Sequence, residues 1–442
     1  MIESLFIILV FFIVFTLGFI FLKGSFLDLD TSKGFIWSLH LYKSFFTISL
    51  PLVLLNLFSL NELDSSLTFT RQEDVSWISM LSLFFISLTF LLIVLMTKLI
   101  NINYDPERVR FYIKNSNKIN DFSFSFAAVG VILLIVAILF FNYNHSFINA
   151  ALFGGNVLSY RLHNAYGSNV PTYLMYLISL SYIVCSLYSG AMFGLERKKK
   201  GIVYLVLAIL LSSAGGAKAP VVTSLLIVVT SYLSVSMKKI SIKRILFFII
   251  WLPFLYFFIY FIVSFQIPEL NFEIYNKYLL ERIGTGQMAG VFEVFSLPSK
   301  LQGDFYLHMI PFASIFSDYI PYDKALMMYV ENYDFSEMGV KNSFFISEAY
   351  GIGGLGFLVA SPLLFAFNFV MGIKILFWYL KITVGPEIAS FIAIPLSLLT
   401  FSVSGGISSY VFFKGLILNI ILISIVIVFY KFYCGLISLK SR

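Results

Sequence analysis

An all-α bundle of membrane-spanning helices is the fold class that the sequence predicts. Of the 442 residues, 59% are hydrophobic and only 12% are charged, whereas a soluble domain has about a quarter charged residues. Apolar runs of about 20 residues recur along the chain, and this is the helix length that crosses a bilayer. The runs are apolar on every face, unlike the alternating strands of a membrane barrel. We therefore expect a single integral membrane domain over residues 1–442.

The apolar runs predict about eleven spans. The first run has neither a basic start nor a small-residue cleavage site, so a retained helix is expected rather than a signal peptide. The predicted spans are residues 3–22, 34–58, 75–97, 122–142, 172–195, 201–214, 219–236, 245–265, 343–372, 383–403 and 408–431.

The basic residues predict the orientation of these spans. The net charge is +7, but the lysines and arginines gather in short loops between alternate spans, the pattern that sets membrane topology. We expect these loops to face the cytoplasm, and we expect no nucleic-acid partner. The basic groups lie within Lys98–Lys118, Arg197–Lys200 and Lys238–Arg244.

Two long segments are then expected on the outer side, at residues 143–171 and 266–342. The second is too long for a simple connection, and long loops on rigid scaffolds often carry function. Its mixture of aromatic and charged residues predicts short helices at the membrane surface. No internal repeat is visible, so the two-halved architecture of many transporters has no support from the sequence.

Motifs for cofactors and metals are missing from the sequence. There is no nucleotide-binding glycine motif, and the four histidines have no metal-ligand spacing. Cys185 and Cys434 lie far apart in or beside apolar runs and are interpreted as packing residues. We expect an activity that needs neither a metal nor a cofactor.

A lysine stands between two consecutive spans, in the sequence Gly215-Gly216-Ala217-Lys218. An ionisable residue at this depth needs a partner and usually marks a functional site. The glycines allow a ligand to approach the backbone closely. Lys218 is therefore predicted to bind a phosphate of a lipid diphosphate, with a snorkelling lysine in a tight turn as the alternative.

Two arginines in the outer segments are further candidates for binding phosphate. Arg282 lies within residues 281–287, where its planar guanidinium stands beside glycines that expose backbone donors. Arg161 lies in the shorter segment, close to His163. A surface arginine paired with a neighbouring glutamate is the alternative interpretation for both.

Glu348 and His308 are the candidates for acid–base chemistry. Glu348 begins a span and is followed by the small residues Gly351–Gly356, which favour close helix packing. Packing does not explain the carboxylate, which needs a cavity or a cation and is expected to lie opposite Lys218. His308 lies in the long outer segment, and histidine is the most frequent general base; an ordinary surface histidine is the alternative.

With these features, the chain resembles the O-antigen polymerase family of bacterial inner membranes. The shared layout is about a dozen spans, a large outer segment late in the chain and a glycine-rich basic turn between two middle spans. Lys218 departs from the arginine frequent in that family, keeping the charge but losing the bidentate fork. The matching stretches are Gly215–Lys218, Arg282–Ile283 with Gly286–Met288, and Glu348–Tyr350 leading into Gly353–Gly356.

The resemblance implies a glycosyltransferase that polymerises undecaprenyl-diphosphate-linked oligosaccharide repeat units into O-antigen or a similar polysaccharide at the periplasmic face. Lys218, Arg161 and Arg282 would bind the diphosphate leaving group and stabilise its developing charge. Arg282, His308 and Glu348 would form the catalytic set, with His308 or a carboxylate taking the acceptor proton. A chain-length regulator and a flippase are the protein partners implied.

Two other functions remain open. A flippase or transporter for the same lipid-linked oligosaccharide would also be polytopic, but it is expected to show two related halves and charges through the bilayer midplane. An O-antigen ligase would use similar chemistry with lipid A core as the acceptor.

Overall fold

The described part of the chain consists of α-helices and short 3₁₀ turns, without strands, as the sequence predicts. The computed structural model describes residues 2–23, 25, 27–28, 37–57, 67–100, 105–154, 157–164, 168–236, 253, 256–257, 260, 263–264, 270–283, 285–313, 320–331, 344–400 and 406–440. The α-helices are α1 (Ile2–Phe21), α2 (Ser38–Leu57), α3 (Gln72–Leu99), α4 (Pro106–Asn115), α5 (Asn117–Phe140), α6 (Ser146–Phe153), α7 (Val157–Leu162), α8 (Thr172–Gly194), α9 (Lys198–Ser213), α10 (Lys218–Ser236), α11 (Phe272–Ile283), α12 (Thr285–Ser296), α13 (Tyr322–Glu331), α14 (Phe345–Thr383), α15 (Pro386–Thr400) and α16 (Lys414–Lys440). The 3₁₀ helices are Phe305–Met309, Ile407–Ser409 and Val411–Phe413.

Six helices in the described chain are long and apolar enough to cross a membrane. The predicted spans at the positions of α1, α2, α9 and α15 are also helical, but these helices are not among the six. Helix α9, for example, has 16 residues, or about 24 Å of rise against a hydrocarbon core of about 30 Å. The predicted span at 245–265 lies largely outside the described residues. The six candidate segments are Glu73–Leu99, Asn117–Phe140, Thr172–Gly194, Ala219–Ser236, Phe345–Thr383 and Val411–Leu436.

Small residues bring α8 and α10 into close contact. A Cβ on Gly190 would lie 2.2 Å from the carbonyl oxygen of Val228, so only glycine fits there. One turn away, the hydroxyls of Ser186 and Ser224 are 2.7 Å apart. Close backbone approach and hydroxyl hydrogen bonds are the means by which helices associate in lipid.

Helix α14 is broken near its beginning. Gly354 has φ +67° and ψ −156°, a conformation that side chains with a Cβ rarely adopt. It divides α14 into a short upper piece, residues 345–353, and a long lower piece, residues 355–383. The lower piece extends past the predicted end at residue 372 because its buried apolar face continues. The buried residues of this extension are Ile373, Leu376 and Leu380.

The basic loops meet at one end of the bundle, which we call the lower end. Lys98, near the last residue of α3, donates from Nζ to the carbonyl oxygen of Lys23 after α1, at 3.3 Å. Arg197, between α8 and α9, donates to the carbonyl oxygen of Lys114 in α4, at 3.0 Å. Two of the three predicted basic loops therefore share this end; the third, at residues 238–244, lies outside the described residues.

The opposite, upper end is where α3 and α14 begin. Short helices occur in the long segment predicted at 266–342, as the sequence analysis expects. We call residues 285–313 and 320–331 of this segment the cover segment, because they lie against the beginnings of α3 and α14.

Buried polar and aromatic contacts hold the cover segment in place. Glu293, which is fully buried, accepts hydrogen bonds from the backbone N–H groups of Thr68 and Phe69, just before α3. Phe295 stacks on Tyr350 of α14 with ring centres 4.6 Å apart. The long segment is thus packed against the bundle and positions side chains over the beginning of α14.

Candidate functional site

The upper piece of α14 carries Glu348 into the protein interior. The side chain of Glu348 is buried, and the adjacent residues of α14 are fully buried. One turn further on, Gly351 lies against Tyr322 of the cover segment, and a Cβ there would come within 2.1 Å of the phenol. The glycine therefore permits the close approach of α13 that encloses Glu348.

The carboxylate of Glu348 is held by the segment that follows α15. Its Oε2 accepts a hydrogen bond from the backbone N–H of Ser408 at 3.0 Å. Gly406 lies next to this carboxylate, since a Cβ on Gly406 would be 2.1 Å from the same oxygen. Because Gly406 precedes the 3₁₀ helix Ile407–Ser409, the carboxylate also caps the N-terminus of that helix. Glu348 therefore has a structural role as the cap of this 3₁₀ helix.

His308 is the second partner of Glu348. Its Nδ1 lies 3.8 Å from Oε1 of Glu348, and the two side chains are 27% and 7% exposed. This is an ion-pair distance, longer than a hydrogen bond. Contacts of this kind in catalytic sites often shorten when substrate binds. The structure thus supplies the partner for His308 that the sequence does not reveal.

Two more ionisable groups border the pair. Asp323, at the beginning of α13, accepts a hydrogen bond from the backbone N–H of Lys324 at 3.0 Å. Burial raises the pKa of the Asp323 carboxyl above its usual 3.8, and the negative charge of Glu348 raises it further. Lys414, the first residue of α16, donates from Nζ to the carbonyl oxygen of His308. Four separate elements therefore bring together two carboxylates, an imidazole and an ammonium group.

Proton transfer is the chemistry that this cluster is suited to. A carboxylate beside an imidazole orients the ring and stabilises its protonated form, which is the arrangement of a general base. Within the described residues, no group of three or more His, Cys, Asp or Glu side chains is placed to hold a metal ion.

Arg161 lies at a second candidate site, beside the glycine-rich turn before α10. Gly216 has φ +73°, and a Cβ on it would lie 2.7 Å from Cβ of Ser146 and 3.4 Å from Cβ of Arg161. The backbone N–H of Ser146 donates to the carbonyl oxygen of Ala214 at 3.0 Å. Described residues of the segment 143–171 thus pack on this turn and place Arg161, whose side chain is exposed, next to the residues leading to Lys218.

The remaining candidates are only partly described. Lys218 begins α10 and Arg282 is the penultimate residue of α11, but both side chains lie outside the described part of the chain. Their roles in binding phosphate, and the expectation that Glu348 lies opposite Lys218, stay predictions.

Asp323 and Lys414 are residues of the cluster that the sequence analysis did not select. Lys414 had one visible signal, because it is the only cation in the apolar stretch predicted as the last span besides Lys431 at its end. Asp323 had none, since it is one of several acids in a mixed-charge segment.

Comparisons with protein-family models, with curated proteins and with solved structures find no match to this chain. We therefore infer the function from the geometry of the two candidate sites.

Proposed function

We propose that this protein is a membrane glycosyltransferase that polymerises undecaprenyl-diphosphate-linked oligosaccharide repeat units at the periplasmic face of a bacterial inner membrane. The observation that carries the proposal is the contact between buried Glu348 and partly exposed His308 of the cover segment, at the end opposite the basic loops. Basic loops favour the cytoplasmic side, so the pair would be reached from outside.

The reaction assigns a role to each group. The imidazole of His308 takes the proton of an acceptor sugar hydroxyl while that oxygen forms a bond to the anomeric carbon of the donor. The bond from this carbon to the diphosphate breaks, and its electron pair leaves with the lipid diphosphate. Glu348 stabilises the imidazolium that results. Arg161, with Lys218 and Arg282, offsets the charge on the leaving group.

A reconstituted polymerisation assay tests this function. Purified protein in lipid nanodiscs is incubated with synthetic lipid-diphosphate repeat units, and products are separated as a ladder on a gel. The wild type is expected to give a ladder, and His308→Ala to slow its formation by roughly 10²- to 10⁴-fold, as for loss of a general base.

Matched carboxylate variants sharpen the test. Glu348→Gln should weaken activity, whereas Glu73→Gln should not, because Glu73 is an exposed acid at the same end. Folded wild-type protein that forms no ladder, or a His308→Ala variant with undiminished activity, would refute the proposal.

One observation favours transport as a second function. A helix broken within the membrane region, such as α14 at Gly354, is typical of transporters whose substrates bind at the break. Movement of a fluorescent lipid-linked oligosaccharide across vesicles containing the protein, without any ladder, would support this alternative.

A further inference from the structure

We propose that Lys414 is a positioning residue that sets the contact between His308 and Glu348. This inference rests on the proposed function, because it assigns a role to Lys414 in the same acid–base pair. It arises from the segment 406–414, which holds both members of the pair at once.

The two attachment points lie at the two ends of this segment. At its beginning, the backbone N–H of Ser408 holds the carboxylate of Glu348. At its end, Nζ of Lys414 holds the carbonyl oxygen of His308. Because one short piece of chain makes both contacts, its conformation determines how far the imidazole stands from the carboxylate.

The backbone between these points is unusual. Phe412 and Phe413 have φ values of 54° and 53°, in the left-handed region that residues with a Cβ avoid. Such conformations persist where the surrounding structure imposes them, and they concentrate at functional sites. Here they turn the chain so that the first residue of α16 reaches back to the 3₁₀ helix Phe305–Met309.

The hydrogen bond from Lys414 to the backbone of His308 is suited to fixing the position of His308. Lys414 contacts the backbone carbonyl group of His308, and its positive charge also interacts with the negative charge of Glu348. A charge-assisted hydrogen bond to a carbonyl group is stronger and more directional than a neutral one. Its loss would free the 3₁₀ helix to shift, and small displacements of a catalytic group are costly to the rate.

Three variants test the inference. Lys414→Met removes the ammonium and keeps the length of the side chain, whereas Lys414→Arg keeps the charge and a donor. Lys381→Met is the control, because Lys381 is an exposed lysine at the lower end of α14. Thermal unfolding of each purified variant shows whether it is folded.

The first readout does not depend on activity. The chain has four histidines, so ¹⁵N-histidine labelling gives a small set of ring signals, and His308→Gln identifies those of His308. These signals report which ring nitrogen carries the proton. We expect Lys414→Met to change the His308 signals, Lys414→Arg to restore them in part, and Lys381→Met to leave them unchanged.

The second readout is kinetic. Lys414→Met should lower kcat by roughly 10- to 100-fold with little change in KM. Unchanged His308 signals in Lys414→Met would overturn the inference. A raised KM with kcat preserved would also overturn it, and would indicate that Lys414 binds substrate. Changed ring signals in a protein whose wild type forms no ladder would keep the positioning role and refute the glycosyltransferase.

Discussion

Gly406→Ala is the substitution that most directly tests the placement of Glu348. A Cβ on residue 406 would lie 2.1 Å from Oε2 and 2.7 Å from Cδ of Glu348. Since ordinary contact begins at 3.4 Å, the carboxylate would have to retreat by about 1.3 Å. Gly406 itself has φ −67°, which alanine adopts freely, so the effect arises from the carboxylate and not from the backbone.

That displacement has two measurable consequences. The hydrogen bond from Ser408 to the carboxylate would be lost, and a hydrogen bond to a charged group contributes about 2 kcal/mol. The contact with His308 would change by a similar distance, and a displacement of about 1 Å can reduce a catalytic rate about 100-fold. We therefore expect lower thermal stability in detergent and a slower ladder-forming reaction.

A second glycine provides the control for this prediction. Among the described residues, no atom lies within 4 Å of a Cβ built on Gly356, in the lower piece of α14. Gly356→Ala should therefore retain activity and gain up to about 1 kcal/mol from the better helix propensity of alanine. If Gly406→Ala keeps the stability and rate of the wild type, the carboxylate is not confined as the geometry indicates, and the reasoning fails.

Two further predictions concern the cover segment. Burial and the charge of Glu348 raise the pKa of the Asp323 carboxyl in the folded state. The folded protein therefore binds the proton of this carboxyl more tightly than the unfolded chain does. As a result, the stability of the fold falls as the pH rises from 3.8 through the raised pKa. Asp323→Asn should therefore be more stable than the wild type at neutral pH and show a flatter pH dependence of its unfolding temperature; an unchanged profile would contradict this. Glu293→Ala removes the acceptor of the partly buried N–H groups of residues 68–69, so we expect the free energy of unfolding to fall by about 3 kcal/mol. The cover segment should also be cleaved faster by protease, whereas cleavage at the wild-type rate would show that these contacts do not anchor it.

The glycines of α14 show where interpretation of the sequence was incomplete. A run of small residues is typical of close helix packing, so the sequence of Gly351–Gly356 predicts such packing. In the structure Gly351 accommodates the ring of Tyr322, and Gly354 breaks the helix with a positive φ. Both uses depend on what lies opposite each glycine, which a pattern along one helix does not contain.

The cluster of Glu348, His308, Asp323 and Lys414 also depends on contacts that the sequence does not reveal. His308 and Glu348 were each selectable by residue type, since a histidine in a long segment and an acid entering a span are both unusual. Their pairing, and the participation of Asp323 and Lys414, required four elements to meet at the upper end. Lys414 is 106 residues from His308 along the chain, and no local pattern connects the two.

From the sequence alone, an all-helical fold with helices long enough to cross a membrane could be predicted, and the described residues agree with it. Long apolar runs leave the backbone no hydrogen-bond partners in lipid except its own, so helices follow from composition and length alone. Tertiary structure decided which helix ends meet, where α14 breaks and which charges become neighbours, because those outcomes depend on packing between distant segments. The contact between Glu348 and His308, on which the proposed function depends, is one of these outcomes.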